Sequence, residues 1–294
     1  MKVEPLYGIY PPLITPFTAD GQVDLESLAR VVEFLNPWVH GYYICGTYGQ
    51  GPLMRPSQRK LVAEKVIEYA KEGHKVLVHV GAPDTYTAVE LARHAQDVGA
   101  YAVASVPPYY YKHSEEAVVK FFEELAGSVS IPVYAYNNPQ RVGYPITPEL
   151  AAKLKQAGVA GVKDSSFDVL TYIDFKLAAG EGFDIVVGTE ALMLPTFVLG
   201  ARAFIPGMSN YLPELVYELF KALESGDLEK ARALQFRVNN VRRRLHKLGS
   251  PIVLTYLLLE VRGVRAGLPR KPFLPISGEA AVKIAQELEP FLKR

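Results

Sequence analysis

Lys163 stands at the end of the apolar run Val159-Ala160-Gly161-Val162 and directly before Asp164-Ser165-Ser166. A short Val/Ala/Gly run between a helical pattern and a polar turn predicts a buried parallel strand. A lysine at the C-terminal mouth of such a strand is partly desolvated, and desolvation favours the neutral amine. A neutral amine can attack a carbonyl and form a Schiff base. Taken alone, a strand-end lysine more often snorkels or pairs with an acid, so its neighbours decide the matter.

Other predicted strands end in groups that suit the same chemistry. One delivers Gly46-Thr47-Tyr48-Gly49-Gln50-Gly51, another Pro107-Pro108-Tyr109-Tyr110-Tyr111, a third Tyr136-Asn137-Asn138-Pro139. The glycine turn reads G-x-x-G-x-G, which is neither the dinucleotide fingerprint nor a phosphate loop followed by GK[ST]. Its backbone N–H groups can still form a nest for a carboxylate. A phenol such as Tyr136 can relay protons where a neighbour orients it. The tyrosines at 109–111 suit an interface patch equally well in a chain with 18 tyrosines. The six histidines (His40, His74, His79, His94, His113, His246) show neither HExxH nor paired spacing, so no metal site is expected. This set can move protons and bind a carboxylate beside a lysine, but it is poorly equipped for redox or phosphoryl chemistry.

The elements that must carry these groups alternate. Strands are predicted at Tyr7–Thr15, Gly41–Gly46, Lys75–Val80, Tyr101–Val106, Val133–Asn137, Val159–Lys163, Asp184–Gly188 and Ala203–Gly207. Helical patterns between them include Leu25–Leu35, Gln58–Ala70, Thr85–Val98, Glu115–Ala126 and Pro148–Ala157. Asp24, Ser57, Ser114 and Thr147 stand as N-terminal caps. Apolar strands separated by helices imply parallel pairing with both faces covered. The expected architecture is an α/β fold, a (β/α)₈ TIM barrel over residues 1–224 with a C-terminal helical extension over residues 225–294. An open doubly wound sheet is the alternative. Glu214–Leu223, Leu228–Leu245, Pro251–Arg262 and Glu279–Leu292 read as helices, and Arg270–Pro275 as a surface loop.

Bulk properties narrow the function class. Lys+Arg 32 against Asp+Glu 31 leaves a net charge of +1, so no global field favours nucleic acid or an anionic membrane. The local basic cluster Arg242-Arg243-Arg244 with Lys247 reads as a solvated face or a subunit contact. Cys45 is the only cysteine, which excludes an intramolecular disulfide and fits a reducing compartment. It falls within a predicted strand as a small core residue. No signal pattern opens the chain, and no apolar run approaches the ~18 residues of a membrane span. A cytoplasmic protein is expected.

In combination and order these motifs resemble the dihydrodipicolinate synthase/N-acetylneuraminate lyase family of pyruvate-dependent Schiff-base aldolases. The resemblance runs from Pro12-Leu13-Ile14-Thr15-Pro16-Phe17 and Asp20-Gly21 through Gly46-Thr47-x-Gly49 and Pro108-Tyr109-Tyr110. It continues in Tyr136-Asn137-x-Pro139 with Gly143 and in Gly161-Val162-Lys163. It implies that Lys163 forms the imine with pyruvate or another 2-oxo acid and that Tyr136 is the general acid/base. Thr47 would link Tyr136 to Tyr110, which would reach into a neighbouring subunit's site. The amides of Thr47 and Tyr48 would hold the pyruvate carboxylate. Gly188 would line the substrate side, and the carbonyl of Ile205 would face the imine. The resemblance further implies no cofactor and a homotetramer built as a dimer of dimers.

Two departures bear on the substrate. Tyr48 stands where the family usually has a second hydroxyl residue, and Gln50 where the synthases tend to have a glutamate. Aromatic residues at the Tyr48 position occur in the family's hydratase-aldolase branch. Ser209-Asn210-Tyr211-Leu212-Pro213-Glu214 and Pro108-Tyr109-Tyr110-Tyr111 resemble archaeal 2-keto-3-deoxygluconate aldolases. Arg141 instead resembles the synthases, where an arginine binds the carboxylate of the aldehyde partner; a guanidinium suits that bidentate contact. The favoured expectation is cleavage of a 2-keto-3-deoxy sugar acid. The alternatives are 4-hydroxy-tetrahydrodipicolinate synthase and, from another class, a non-catalytic 2-oxo-acid sensor.

Overall fold

The computed structural model describes residues 4–292. Eight parallel strands lie in the order β1-β8-β7-β6-β5-β4-β3-β2. They are β1 (Gly8–Ile9), β2 (Gly41–Ile44), β3 (Lys75–His79), β4 (Ala102–Ser105), β5 (Val133–Asn137), β6 (Gly161–Asp164), β7 (Asp184–Val187) and β8 (Ala203–Phe204). The remaining seam closes where Pro12 bridges Tyr43 in parallel, just beyond β1. The result is the (β/α)₈ barrel expected from the alternation.

The helices are α1 (Leu25–Leu35), α2 (Pro56–Tyr69), α3 (Thr85–Asp97), α4 (Glu115–Gly127), the short α5 (Pro139–Val142) and α6 (Pro148–Gln156). There follow α7 (Val169–Ala179), α8 (Met193–Val198), α9 (Pro213–Glu224), α10 (Leu228–Leu248), α11 (Pro251–Val261) and α12 (Gly278–Leu292). Asp24, Ser114 and Thr147 cap as expected, accepting from the N–H groups of Ser27, Ala117 and Leu150. Ser57 does not cap. Helix α2 starts two residues earlier, at Pro56, whose fixed φ suits the first helical position, and Arg55 takes the cap position. The first strand is also shorter than expected, because Pro11, Pro12 and Pro16 have no N–H to give a ladder. Cys45 lies just past β2 and is fully buried, with φ of 57°. Helix α7 escaped the sequence pattern because it carries apolar residues on both sides: Tyr172 and Phe175 are buried while Leu170 and Leu177 are exposed.

Strand register sorts the side chains into two layers. Val133, Ala135 and Val162 pack outward with the helices, whereas Tyr134 and Tyr136 fill the barrel interior with Tyr10 and Tyr43. The small Ala102 and Ala104 leave room there for four tyrosine rings. Alternation along β6 then sends Lys163 to the inner side, opposite to Val162. The C-terminal helices are tied to the barrel by polar contacts. Tyr256 donates to the Thr15 carbonyl at 2.8 Å, and Gln235 Nε2 to the Glu190 carbonyl at 2.9 Å. Arg262 forms a forked pair with Glu214.

Candidate active site

Strands β5 and β6 pair so that Tyr136 lies directly beside Lys163. Lys163 is buried, and its Nζ sits 4.0 Å from the centroid of the Tyr136 ring and 3.7 Å from that of Tyr43. Burial holds the Lys163 amine below its ordinary pKa, against the opposing influence of the Tyr136 phenol. For Tyr136, burial pushes the phenol up. The Lys163 charge, with hydrogen bonds from Thr47, Ser165 and Lys163, outweighs burial and brings it below its ordinary value. The pair is thus arranged to exchange a proton at small cost.

Thr47 Oγ1 lies 3.5 Å from the Tyr136 hydroxyl. Asn138 Nδ2 donates to that hydroxyl at 2.9 Å and reaches Thr47 Oγ1 at 3.5 Å. The turn after β2 is closed by Gln50 N–H donating to the Thr47 carbonyl at 3.2 Å and Gly51 N–H to that of Gly46 at 3.1 Å. The amides of Thr47 and Tyr48 donate to no acceptor among the described residues. Gln50 is buried and anchors the turn from behind: its Nε2 donates to Tyr256 at 2.6 Å, and its Oε1 accepts from Arg270 N–H at 2.8 Å. The Arg270–Pro275 loop therefore packs on the turn and is not merely a surface segment.

A cavity of about 450 Å³ opens above the pair. Thr47, Tyr48, Tyr136, Arg141, Lys163, Gly188 and Ile205 all line it. Gly188 contributes space, since a Cβ there would lie 2.1 Å from Ser165 Oγ. Burial first, and then the Glu190 carboxylate, push the Tyr48 phenol up, so it stays protonated. Tyr110 is not brought into this cavity. It stands 86% exposed beyond β4 with φ of 80°, edge-on to Tyr111 at 4.9 Å.

The same wall holds residues that the sequence reading did not single out as site residues: Asn138, Ser165, Thr189, Glu190, Arg242 and His246. Asn138 is two residues beyond Tyr136, a spacing that keeps one strand face and could have drawn attention to it. For Arg242 no local signal existed. The basic cluster was expected to face solvent or a subunit, yet Arg242 Nε pairs with buried Glu190 at 3.2 Å and its guanidinium lies 5.0 Å from the Phe167 ring. Helix α10 delivers it because that helix packs against the turn after β7 that carries Glu190. Among the described residues no group of three or more His, Cys, Asp or Glu is placed to hold a metal ion. No described helix is long and apolar enough to cross a membrane.

Comparison with known proteins agrees with this geometry. The dihydrodipicolinate synthetase family pattern matches residues 5–290. A 4-hydroxy-tetrahydrodipicolinate synthase of Methanopyrus kandleri is 32% identical over 286 residues, covering 96% of this chain and 95% of its own. YagE, a prophage protein of the dihydrodipicolinic acid synthase family from E. coli K12 solved with pyruvate, superposes with a TM-score of 0.92 at 27% identity. That match covers 98% of this chain and 99% of YagE. A doubly substituted variant of the Sulfolobus solfataricus 2-keto-3-deoxygluconate aldolase superposes with a TM-score of 0.90 at 27% identity, covering 97% and 96% of the two chains. The chain belongs to the dihydrodipicolinate synthetase family, and it is a lyase that works through a lysine Schiff base.

Proposed function

We propose that this chain is a pyruvate-dependent class I aldolase that reversibly cleaves a 2-keto-3-deoxy sugar acid, such as 2-keto-3-deoxygluconate, to pyruvate and an aldehyde. The observation that carries the reading is the buried Lys163 amine, held below its ordinary pKa and paired with Tyr136 at the floor of the cavity. Lys163 Nζ attacks the C2 carbonyl of the substrate, whose carboxylate rests on the free amides of Thr47 and Tyr48. Tyr136 delivers the proton that lets the carbinolamine oxygen leave as water. The iminium then acts as electron sink. Tyr136 takes the proton from the C4 hydroxyl, the C3–C4 bond breaks, and its electron pair becomes the enamine while the aldehyde departs. Protonation at C3 and hydrolysis return pyruvate and the free amine.

The wall beyond Lys163 supports the sugar-acid choice. Ser165, Thr189 and the Arg242-paired Glu190 present hydroxyls and a carboxylate, which match the hydroxyls of a polyol. One feature favours a second reading. The Arg141 guanidinium lines the cavity and would pair well with the carboxylate of aspartate semialdehyde, as a 4-hydroxy-tetrahydrodipicolinate synthase requires. The proposal also takes the protein as a homotetramer, a dimer of dimers in which the exposed Tyr110 extends the Thr47–Tyr136 relay in a neighbouring subunit.

The test is a panel of glyceraldehyde, aspartate semialdehyde and N-acetylmannosamine with pyruvate, run on the parent and on Arg141→Ala. Glyceraldehyde should be preferred, and the substitution should cost little beyond a modest rise in KM. A parent that strongly prefers aspartate semialdehyde would overturn the substrate assignment. The same holds for an Arg141→Ala loss on that substrate of about 1.5–3 kcal/mol, the scale of hydrogen bonds to charged groups.

A further inference from the structure

The imine that Lys163 forms is a cation in a closed place. When Nζ bonds to C2, the carbonyl oxygen leaves as water with one nitrogen hydrogen and one added proton, and the nitrogen keeps one hydrogen and a positive charge. A buried charge without a partner is costly. Among the described residues Nζ faces the rings of Tyr43 and Tyr136 and meets the Tyr136 hydroxyl, and no carboxylate pairs with it. Tyr136 has a second task in proton transfer. Tyr43 has none: it is fully buried, and its hydroxyl has no hydrogen-bond partner among the described residues. Its ring is nevertheless held firmly. It meets Tyr136 edge-on at 5.9 Å and His79 at 6.2 Å, and a Cβ on Gly46 would lie 2.5 Å from its Cε1. His79 is kept neutral, chiefly by burial and then by the Arg59 and Lys163 charges, so it adds no second cation beneath the ring.

We propose that Tyr43 is a positioning residue for the Schiff base, its ring face holding the positive charge of the iminium at Lys163 Nζ. The proposal rests on the reading of Lys163 as the imine-forming amine. The negative face of an aromatic ring attracts a cation lying within about 6 Å of its centroid, and a desolvated site strengthens the attraction. At alkaline pH, where the resting amine is neutral, it gains little from the ring, whereas the iminium gains fully. Tyr43 therefore shifts the imine equilibrium forward, which a residue that merely fills space would not do.

The test varies the ring charge at constant shape. Tyr43→Phe is the reference, 3,4,5-trifluorophenylalanine at position 43 empties the ring face of negative charge, and Tyr43→Leu removes the ring. Each protein is titrated with pyruvate at alkaline pH, where the free amine is the resting species, and reduced with borohydride. The reduced adduct on the Lys163 peptide is then measured by mass. The equilibrium constant for imine formation should fall in that order, by about three- to thirtyfold from Phe to Leu. If Tyr43→Leu fails to fold, the fluorinated protein still decides the question. A labelled parent with equal constants for the phenylalanine and fluorinated proteins overturns the role of Tyr43 alone. A parent carrying no label on Lys163 overturns the Lys163 reading and this proposal together.

Discussion

Asn138 is the residue whose replacement most directly tests the proton relay. Its Nδ2 donates to the Tyr136 oxygen at 2.9 Å, against 3.5 Å between that oxygen and Thr47, and Asn138 is only 9% exposed. The donor therefore acts with little solvent screening on the oxygen that must carry charge as Tyr136 gives up its proton. Asn138→Leu keeps the branched shape and removes the donor. A hydrogen bond to a charged group is worth about 1.5–3 kcal/mol, and each ~1.4 kcal/mol is tenfold in rate, so kcat should fall by about 10- to 150-fold. In the proposed pose the pyruvate carboxylate rests on the Thr47 and Tyr48 amides, which the change does not touch. The loss should accordingly appear in kcat and kcat/KM far more than in KM. The pH–rate limb that reports Tyr136 should move to higher pH, because the phenolate has lost a donor. The assay is steady-state cleavage followed by coupled reduction of the pyruvate released. A folded variant with kcat within about twofold of the parent and an unmoved limb would refute the claim that Asn138 steers proton transfer.

Further outcomes follow from the same geometry. Tyr136→Phe should form the imine yet turn over about 10²–10⁴-fold more slowly, as measured by single-turnover cleavage. Lys163→Met should abolish turnover but raise the melting temperature at neutral pH. Burial depresses the Lys163 pKa from 10.5, so between the depressed value and 10.5 the unfolded chain binds an extra proton and the parent gains stability as pH rises. The advantage of Lys163→Met should thus shrink as pH approaches 10.5, and melts across that range check the sign. Gln50→Glu cannot donate to Tyr256 as the amide does, and in this buried site it should cost about 1–3 kcal/mol by denaturant titration. Activity should survive dialysis against EDTA, because the iminium supplies the electron sink that a metal ion provides in other aldolases.

The sequence alone determined the barrel and which strand ends gather at its mouth. Apolar runs of strand length alternating with capped helices admit few architectures, and capping at Asp24, Ser114 and Thr147 depends only on residues three apart. That Lys163, Tyr136 and Thr47 meet at one place was legible because strand ends in a parallel barrel share one face, so each local pattern already points there. The tertiary structure decided what surrounds them. Tyr43 reads as an ordinary strand tyrosine until barrel closure sets its ring 3.7 Å beneath an amine 120 residues further along the chain, at Lys163. Asn138, just beyond β5, hinted at its place by its spacing from Tyr136, but its contact with the Tyr136 hydroxyl is set by the folded turn. Arg242 lies in a helix whose spacing fits a solvated face, and only the packing of α10 against the turn after β7 pairs it with Glu190. Periodicity and capping are short-range properties of the backbone, whereas these contacts are set by how a closed sheet brings distant side chains to the same depth.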